Sequence, residues 1–292
     1  MRSPTPTVEA PDTREFAFTA RDLARVSALI YRRAGIALSP RKENMVYGRL
    51  SRRLRACGIS SFGDYLDMLE ADASCAEWEA FTNALTTNLT AFFRESHHFP
   101  ILREHLLATR DRRQTIVWCA AASSGEEAYS IAITACETFG NLNPPVRVIA
   151  SDIDTGVLAV GDRGIYPVER MEGMEQALLR RYFLKGRGSH AGLACVRPEL
   201  RAVVRFCRIN LRDEHWNVAR PIDAIFCRNV LIYFDRPTQL AVLSRFAPLL
   251  AADGLLFAGH SESLAYASHL FRALGNTVYA KAFAVGGARE AR

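Results

Sequence analysis

Ile116-Val117-Trp118-Cys119-Ala120-Ala121-Ala122-Ser123-Ser124-Gly125-Glu126-Glu127 is the stretch whose reading decides the fold. Its first five residues form an apolar run of strand length, and the next four are small. Gly125 permits a tight turn, after which helical spacing continues to Phe139. A strand, a small-residue turn and a helix open a βαβ unit, whose ligand sits at the carboxyl ends of the strands. Ser123 or Ser124 is suited to cap the helix. Only one glycine is present, so the turn is not the G-x-G-x-x-G of dinucleotide binding. Glu126 and Glu127 would repel a pyrophosphate and suit a ligand carrying an amino group or a sulfonium. The turn therefore points away from NAD and toward S-adenosylmethionine. The alternative is that both acids merely complement the helix dipole.

Downstream the alternation continues. Residues 146–150 form a second apolar run, with a helix near 156–160. Residues 203–209 alternate, 222–227 are apolar, and a helix covers 237–250. Runs at 255–258 and 278–283 close the series, which predicts an α/β domain with a mainly parallel sheet. Residues 166–202 are too long for a connector inside such a unit. They contain Lys185-Gly186-Arg187-Gly188-Ser189-His190-Ala191-Gly192 and read as a few helical turns, then a Gly-rich hairpin: an inserted β-subdomain. A surface excursion without function is the alternative.

Upstream, residues 16–90 read as all-α, with apolar residues at helical spacing in Leu23, Val26, Ile30 and in Val46, Leu50, Leu54. Ser61-Phe62-Gly63-Asp64 is a helix start. Residues 1–15, polar and Pro/Thr-rich without the apolar core of a signal peptide, read as a disordered tail, and 286–292 as a second tail. The expected division is then 16–90 helical and 91–285 sheet domain, with the insertion at 166–202.

Of the residues, 49% are hydrophobic and 23% charged, which is soluble globular composition, and no apolar run is long enough to span a bilayer. Seven scattered cysteines without Cys-x-x-Cys spacing exclude a zinc or redox motif and suit a reducing, cytoplasmic setting. The net charge of +6 is unevenly spread. Residues 32–55 hold Arg32, Arg33, Arg41, Lys42, Arg49, Arg52, Arg53 and Arg55 against the single acid Glu43, a patch that fits an acidic partner.

Three further motifs carry polar chemistry. Ser151-Asp152-Ile153-Asp154 ends the second strand, where Asp152 is suited to accept from ribose hydroxyls and Asp154 to cap the next helix. Both could equally be caps. Cys227-Arg228-Asn229-Val230-Leu231-Ile232-Tyr233-Phe234 leaves the fourth strand with an Arg-Asn pair aimed at the crevice, and Asn210-Leu211 occupies the equivalent edge after the third. Thr86-Thr87-Asn88-Leu89-Thr90-Ala91-Phe92-Phe93-Arg94 precedes the sheet domain. His97 and His98 follow, and neighbours on a helix should face apart, so no metal is expected.

Taken in order, TTNLTAFFRE, AAASSGEEAYSIAI, ASDID, FCRNVLIYFD and LLFAGHSESL resemble the CheR-type chemotaxis receptor glutamate O-methyltransferases over residues 20–283. The basic helix GRLSRRLR is also similar to the family's, while Ala128 replaces a usual proline. The resemblance implies an all-α domain before a Rossmann-like class I methyltransferase sheet domain with a small inserted β-subdomain. It implies S-adenosyl-L-methionine as cofactor, S-adenosyl-L-homocysteine as product, and cytoplasmic receptor domains as partners, without nucleic acid or membrane insertion. Carried over by motif, the cofactor contacts are Asn88, Thr90, Arg94, Glu127, Asp152, Asn210, Leu211, Arg228 and Asn229. Arg94 and Tyr233 are the candidates for orienting the acceptor. Arg49, Arg52, Arg53 and Arg55 would dock on the receptor, and Gly186, Gly188 and Gly192 would form a loop that tethers to the receptor's C-terminal tail peptide.

A glutamate acceptor is ionised at neutral pH, with an ordinary pKa of about 4.3, so transfer to it needs positioning rather than a general base. Two alternatives belong to other classes. A nucleic-acid methyltransferase would use the basic helix on phosphates, but no Asn-Pro-Pro-Tyr or Asp-Pro-Pro-Tyr stretch is present. Against a non-catalytic S-adenosylmethionine-binding or receptor-binding module stand the intact Asn88, Arg94, Asp152 and Tyr233.

Overall fold

The computed structural model of the chain describes residues 14–112 and 114–282. The two expected tails lie outside the described residues, apart from residues 14 and 15. Four helices come first: α1 (Ala20–Ala34), α2 (Glu43–Cys57), α3 (Phe62–Ala71) and α4 (Glu77–Leu85). Thr19 starts α1 in a capping box with Asp22, and the Ser61 hydroxyl accepts from Asp64 N–H to start α3. Their apolar faces close on one core, where Val26, Ile30, Val46, Leu50 and Leu54 are wholly buried beside Tyr65 and Phe81.

Helix α5 (His98–Ala108), to which the sequence reading assigned no range, leads into the sheet domain. Then come β1 (Thr115–Cys119), α6 (Glu126–Phe139), β2 (Val146–Asp152) and α7 (Thr155–Arg163). The insertion holds β3 (Ile165–Pro167), α8 (Gln176–Tyr182), β4 (Phe183–Lys185) and β5 (Leu193–Val196). The chain returns through α9 (Pro198–Val203), β6 (Val204–Arg208), β7 (Ile222–Cys227), α10 (Arg236–Leu249), β8 (Leu250–Ala258), β9 (Phe271–Gly275) and β10 (Val278–Lys281).

Seven strands form one sheet in the order β6-β2-β1-β7-β8-β10-β9. Pairing is parallel from β6 to β8 and antiparallel at β10 and β9. The chain winds outward from β1 to one side and from β7 to the other, so the switch point for a ligand lies between β1 and β7. Strand β9 was not anticipated: only Phe271 in it is buried, so no alternation marks it. One sheet face packs on α6, with Tyr129 and Ile133 in the core. On the other, Trp118 meets Trp216 and Phe246 edge-on, each at 5.2 Å between centroids.

The insertion is a three-stranded antiparallel sheet, β3-β5-β4, with β3 and β4 as its edges. Tyr166 joins it to the sheet domain, donating its hydroxyl to Ser124 O at 2.7 Å. In the β4–β5 turn Gly186 N–H donates to Leu193 O at 2.9 Å. A Cβ on Gly186 would lie 2.0 Å from His190 O, and Gly188 and Gly192 have φ of +57° and +84°, so all three require glycine for geometry.

Candidate active site

A cleft opens over the carboxyl ends of β1, β2 and β7. All nine residues expected to contact a cofactor line it, as does Tyr233. Five stretches carry these residues: four follow β1, β2, β6 and β7, because parallel strands deliver each following loop to the same edge, and the fifth, 88–94, reaches the cleft from ahead of the sheet domain.

The turn after β1 is tighter than a capping turn. Gly125, not a serine, is the N-cap of α6 and has φ of +96°, where no side chain caps the helix. A Cβ on Gly125 would stand 2.9 Å from Tyr166 Oη and 3.0 Å from Gly161 Cα. Ser123 and Ser124 are used otherwise: Ser123 N–H donates to Asp152 Oδ2 at 2.9 Å, and Ser124 Oγ to Glu126 Oε2 at 2.7 Å. The two acids of the turn also part company. Glu126 is fully buried and takes Arg170 at 3.1 Å, whereas Glu127 lines the cleft.

Asp152 and Asp154 divide as the sequence suggested. Asp152 lines the cleft, held by the N–H groups of Ser123 and Asp154 at 2.9 and 3.0 Å. Burial pushes its carboxyl up, against the pull of those backbone hydrogen bonds. Asp154 caps α7 through Gly156 and Val157 N–H. Its other oxygen accepts from Asn88 Nδ2 and Thr86 Oγ1, both at 2.7 Å, a role the motif did not foretell.

Arg228 is buried, and one Nη donates to the carbonyl of Arg94. Its Nε lies 3.2 Å from Glu127 Oε2 but out of hydrogen-bond alignment, and its Nη1 has no partner among the described residues. Burial pushes the Glu127 carboxyl up, and Arg228 opposes it. A buried guanidinium with unused donors at the wall of a cleft suits a ligand that brings acceptors. An acid at the end of β2 suits a ribose. The donor set therefore fits S-adenosylmethionine. Arg94 donates to Leu89 O at 2.9 Å, and Asn210 Nδ2 to Arg33 O at 2.8 Å.

The roof was not legible in the sequence. Ala34, Ile36, Leu38, Lys42 and Met45, from the α1–α2 linker and its flanks, close the cleft from above. The linker is tied down by Ala37 N–H to Tyr233 O at 2.8 Å and by a bridge between Ile36 and Phe234. Lys42 Nζ stands 5.4 Å from the Tyr233 ring centroid.

Glu95, one residue past Arg94, also escaped notice. Its Oε1 accepts from Asn229 Nδ2 at 3.1 Å and meets His260 Nδ1 at 3.0 Å. Burial raises its carboxyl, but His260, Asn229 and Arg228 outweigh that and bring it down to about 2. The expectation that His97 and His98 face apart does not hold. His97 precedes α5 rather than lying within it, and the two rings are 4.2 Å apart. With Glu95 they bring three possible ligand atoms within 4.8 Å of one another, although Glu95 is already engaged and Arg228 stands 3.8 Å from its Oε2.

The basic helix differs in detail from the sequence reading. Arg49 donates to the carbonyls of Ala84 and Thr86 at the end of α4, and Arg53 grips Glu77 with bonds of 2.8 and 2.7 Å. Both turn toward α4, so they do not share a free face with Arg52, which is exposed. Arg55, also exposed, pairs with Glu15.

A family model described as the S-adenosylmethionine-binding domain of CheR methyltransferase matches residues 88–280. Another, for the all-alpha domain of CheR methyltransferase, matches residues 21–86. The chemotaxis protein methyltransferase of Salmonella typhimurium is 53% identical over 268 residues, covering 92% of this chain and 92% of its own. Chemotaxis protein methyltransferase 2 of Pseudomonas aeruginosa is 51% identical over 270 residues, covering 92% and 96%. The Klebsiella aerogenes chemotaxis protein methyltransferase is 55% identical over 255 residues, covering 87% of each.

Proposed function

This chain belongs to the CheR methyltransferase family, and from that premise we propose that it methylates glutamate side chains on the cytoplasmic domains of chemotaxis receptors, for adaptation. The observation that carries the reading is the make-up of the cleft. Among the described residues its lining contains no histidine, and its two carboxylates are Glu127, beside Arg228, and Asp152, held by backbone N–H groups. We assign both carboxylates to the cofactor, which leaves neither as general base at the acceptor, and a carboxylate acceptor requires none.

When bound, S-adenosylmethionine supplies a methyl on a sulfonium and leaves as S-adenosylhomocysteine. Asp152 would hold the ribose hydroxyls, Glu127 would favour the cationic end, and Asn88, Thr90, Asn210, Leu211, Arg228 and Asn229 would complete the grip. Arg94 and Tyr233 orient the acceptor carboxylate. Arg94 lies near enough to the surface for water to share its charge, so it can steer the carboxylate without immobilising it. The roof excludes water from one side, which leaves the carboxylate less solvated at the point of attack.

Receptor recognition uses two regions. Arg52 and Arg55 on α2 meet acidic receptor helices, while Arg49 and Arg53 hold α2 against α4 so that this face is presented. The β-subdomain, with Gly186, Gly188 and Gly192 shaping its turn, takes a short receptor tail segment along an exposed strand edge. The enzyme works in the cytoplasm. Among the described residues no helix is long and apolar enough to cross a membrane.

The test offers labelled S-adenosylmethionine with receptor cytoplasmic fragments and, separately, with RNA. The reading requires base-labile label on the receptor fragment, lost when its acceptor glutamates are changed to alanine. Base-stable label, or label on RNA alone, overturns it.

A further inference from the structure

The loop from Arg228 to Tyr233 gives the cleft Arg228, Asn229, Val230 and Tyr233, yet its own structure is a single 3-10 turn at Leu231–Tyr233. It turns at Asn229 with φ of +57°, a left-handed conformation that a non-glycine residue keeps only when its surroundings impose it. Within the loop, Tyr233 N–H reaches Val230 O at 3.1 Å. The N–H groups of Asn229 and Ile232 have no such partner in the loop.

Both are taken by one side chain. Glu262, after β8 and only 5% exposed, accepts from Asn229 N–H at 2.8 Å through Oε2 and from Ile232 N–H at 3.3 Å through Oε1. Its Oε2 also accepts from Gly259 N–H at 2.7 Å. Gly259 is part of the fit, since a Cβ there would lie 2.4 Å from Asn229 Nδ2 and 2.8 Å from Glu262 Oε2. Asn229 is thereby fixed at two points, its backbone by Glu262 and its side chain by Glu95 at 3.1 Å.

We infer that Glu262 is a positioning residue for the transfer reaction: its carboxylate spans the two ends of the Asn229–Ile232 turn and sets Arg228, Asn229 and Tyr233 in register with the rest of the cleft. The motif LLFAGHSESL contributes nothing to the lining, and this accounts for its Gly-x-x-Glu spacing. Gly259 lets the chain approach Asn229, and the acid three residues on returns over it. The carboxylate form is required, because the ends of the turn present only donors to it. A neutral amide would turn one donor against another. The inference rests on the reading of Arg228, Asn229 and Tyr233 given above.

The experiment compares Glu262→Gln with Asn229→Ala and with Leu243→Ala, a core truncation in α10 away from the cleft. Glu262→Gln should lower kcat by about tenfold or more and weaken S-adenosylhomocysteine binding several-fold, with receptor KM unchanged, as a small misplacement of reacting groups does. Amide resonances of Asn229 and Ile232 should shift, and those of Ile225 in β7 should not. Leu243→Ala should lose at least as much thermal stability while keeping kcat within about twofold. If Glu262→Gln keeps wild-type kcat and cofactor affinity, or if Leu243→Ala loses as much kcat, the positioning role is wrong. Gly259→Ala, whose Cβ would press on Asn229 Nδ2 and on Glu262 Oε2 together, should reproduce the kcat loss and serves should Glu262→Gln not fold. Asn229→Ala separates the two layers. Unchanged product affinity there overturns the site reading itself, whereas a loss there without one in Glu262→Gln overturns the inference alone.

Discussion

Asp154 holds Asn88 by a 2.7 Å hydrogen bond from the amide to its Oδ2, and so ties the segment ahead of the sheet domain to the start of α7. Two residues earlier, Asp152 faces the cleft with no partner from that segment. One tetrapeptide therefore supplies a cleft-lining carboxylate, the proposed ligand group, and the clamp that closes over it.

Removing the ligand group should act on binding alone. Asp152→Ala is expected to weaken S-adenosylhomocysteine by about 1–3 kcal/mol, the range for a charged hydrogen-bond partner lost. Calorimetry measures it, and unchanged affinity in a folded variant removes Asp152 from the ribose. Asp154→Ala should instead lose about 1 kcal/mol of stability as a helix cap and also loosen the cofactor through Asn88.

The arginines of α2 should separate into two groups. Arg53→Glu sets a second carboxylate against the half-buried Glu77 and should destabilise the chain by about 3 kcal/mol. Arg52→Glu should leave the thermal midpoint within a degree or two and raise the receptor KM several-fold at low salt, with the effect fading as salt is added. A normal receptor KM at low salt would remove this face from docking.

Tail-peptide binding should depend on the β4–β5 turn. A peptide copying a receptor's C-terminal segment is expected to bind with Kd on the order of micromolar, as one short added strand allows. Val at Gly188 and Gly192, where φ is positive, should abolish that binding and leave methylation of a tail-less fragment untouched. Absence of binding by wild type at high micromolar peptide would remove the tether.

His98 should make stability depend on pH. Burial pushes its ring from 6.5 down to about 4, with Arg228 and His97 adding to that and Asn276 O and Glu95 opposing. The folded protein keeps the ring neutral where the unfolded chain would protonate it. Stability is therefore full above pH 6.5 and is lost as pH falls toward 4. Denaturant titrations should find wild type weaker by about 2 kcal/mol at pH 5 than at pH 7, and His98→Gln with a shallower dependence. Parallel slopes would exclude His98 as the cause.

Periodicity disclosed what depends on periodicity. The apolar positions read at helical spacing lie on the buried faces of α1 and α2, and the runs that became β1, β2 and β7 lay within a residue or two of their observed bounds. Strand β9 did not, because four of its five residues face solvent and nothing alternates. Asp152, Asn210, Arg228 and Asn229 were legible because strand ends in a parallel sheet must converge, whereas Asn88, Thr90 and Arg94 follow no strand and were assigned only through the family resemblance. What could not be read were relations across elements. That Arg49 caps α4, that Glu95 holds Asn229, and that residues 34–45 form a roof depend on where independent segments meet. Charge at helical spacing said that α2 is basic, but not which of its arginines were already satisfied.

The roof has a consequence for energetics. One wall of the cleft belongs to the helical domain and the other to the sheet domain, so a molecule lodged there rivets two folding units together. At a hundredfold excess over its Kd such a ligand adds about 2.7 kcal/mol to whatever must break for it to escape, and here that includes the interface between the domains. Helix α2, with the arginines proposed for docking, is thereby held more firmly in the donor-loaded enzyme than in the empty one. By reciprocity, a receptor that prefers the loaded arrangement must tighten the grip on the methyl donor by the same factor.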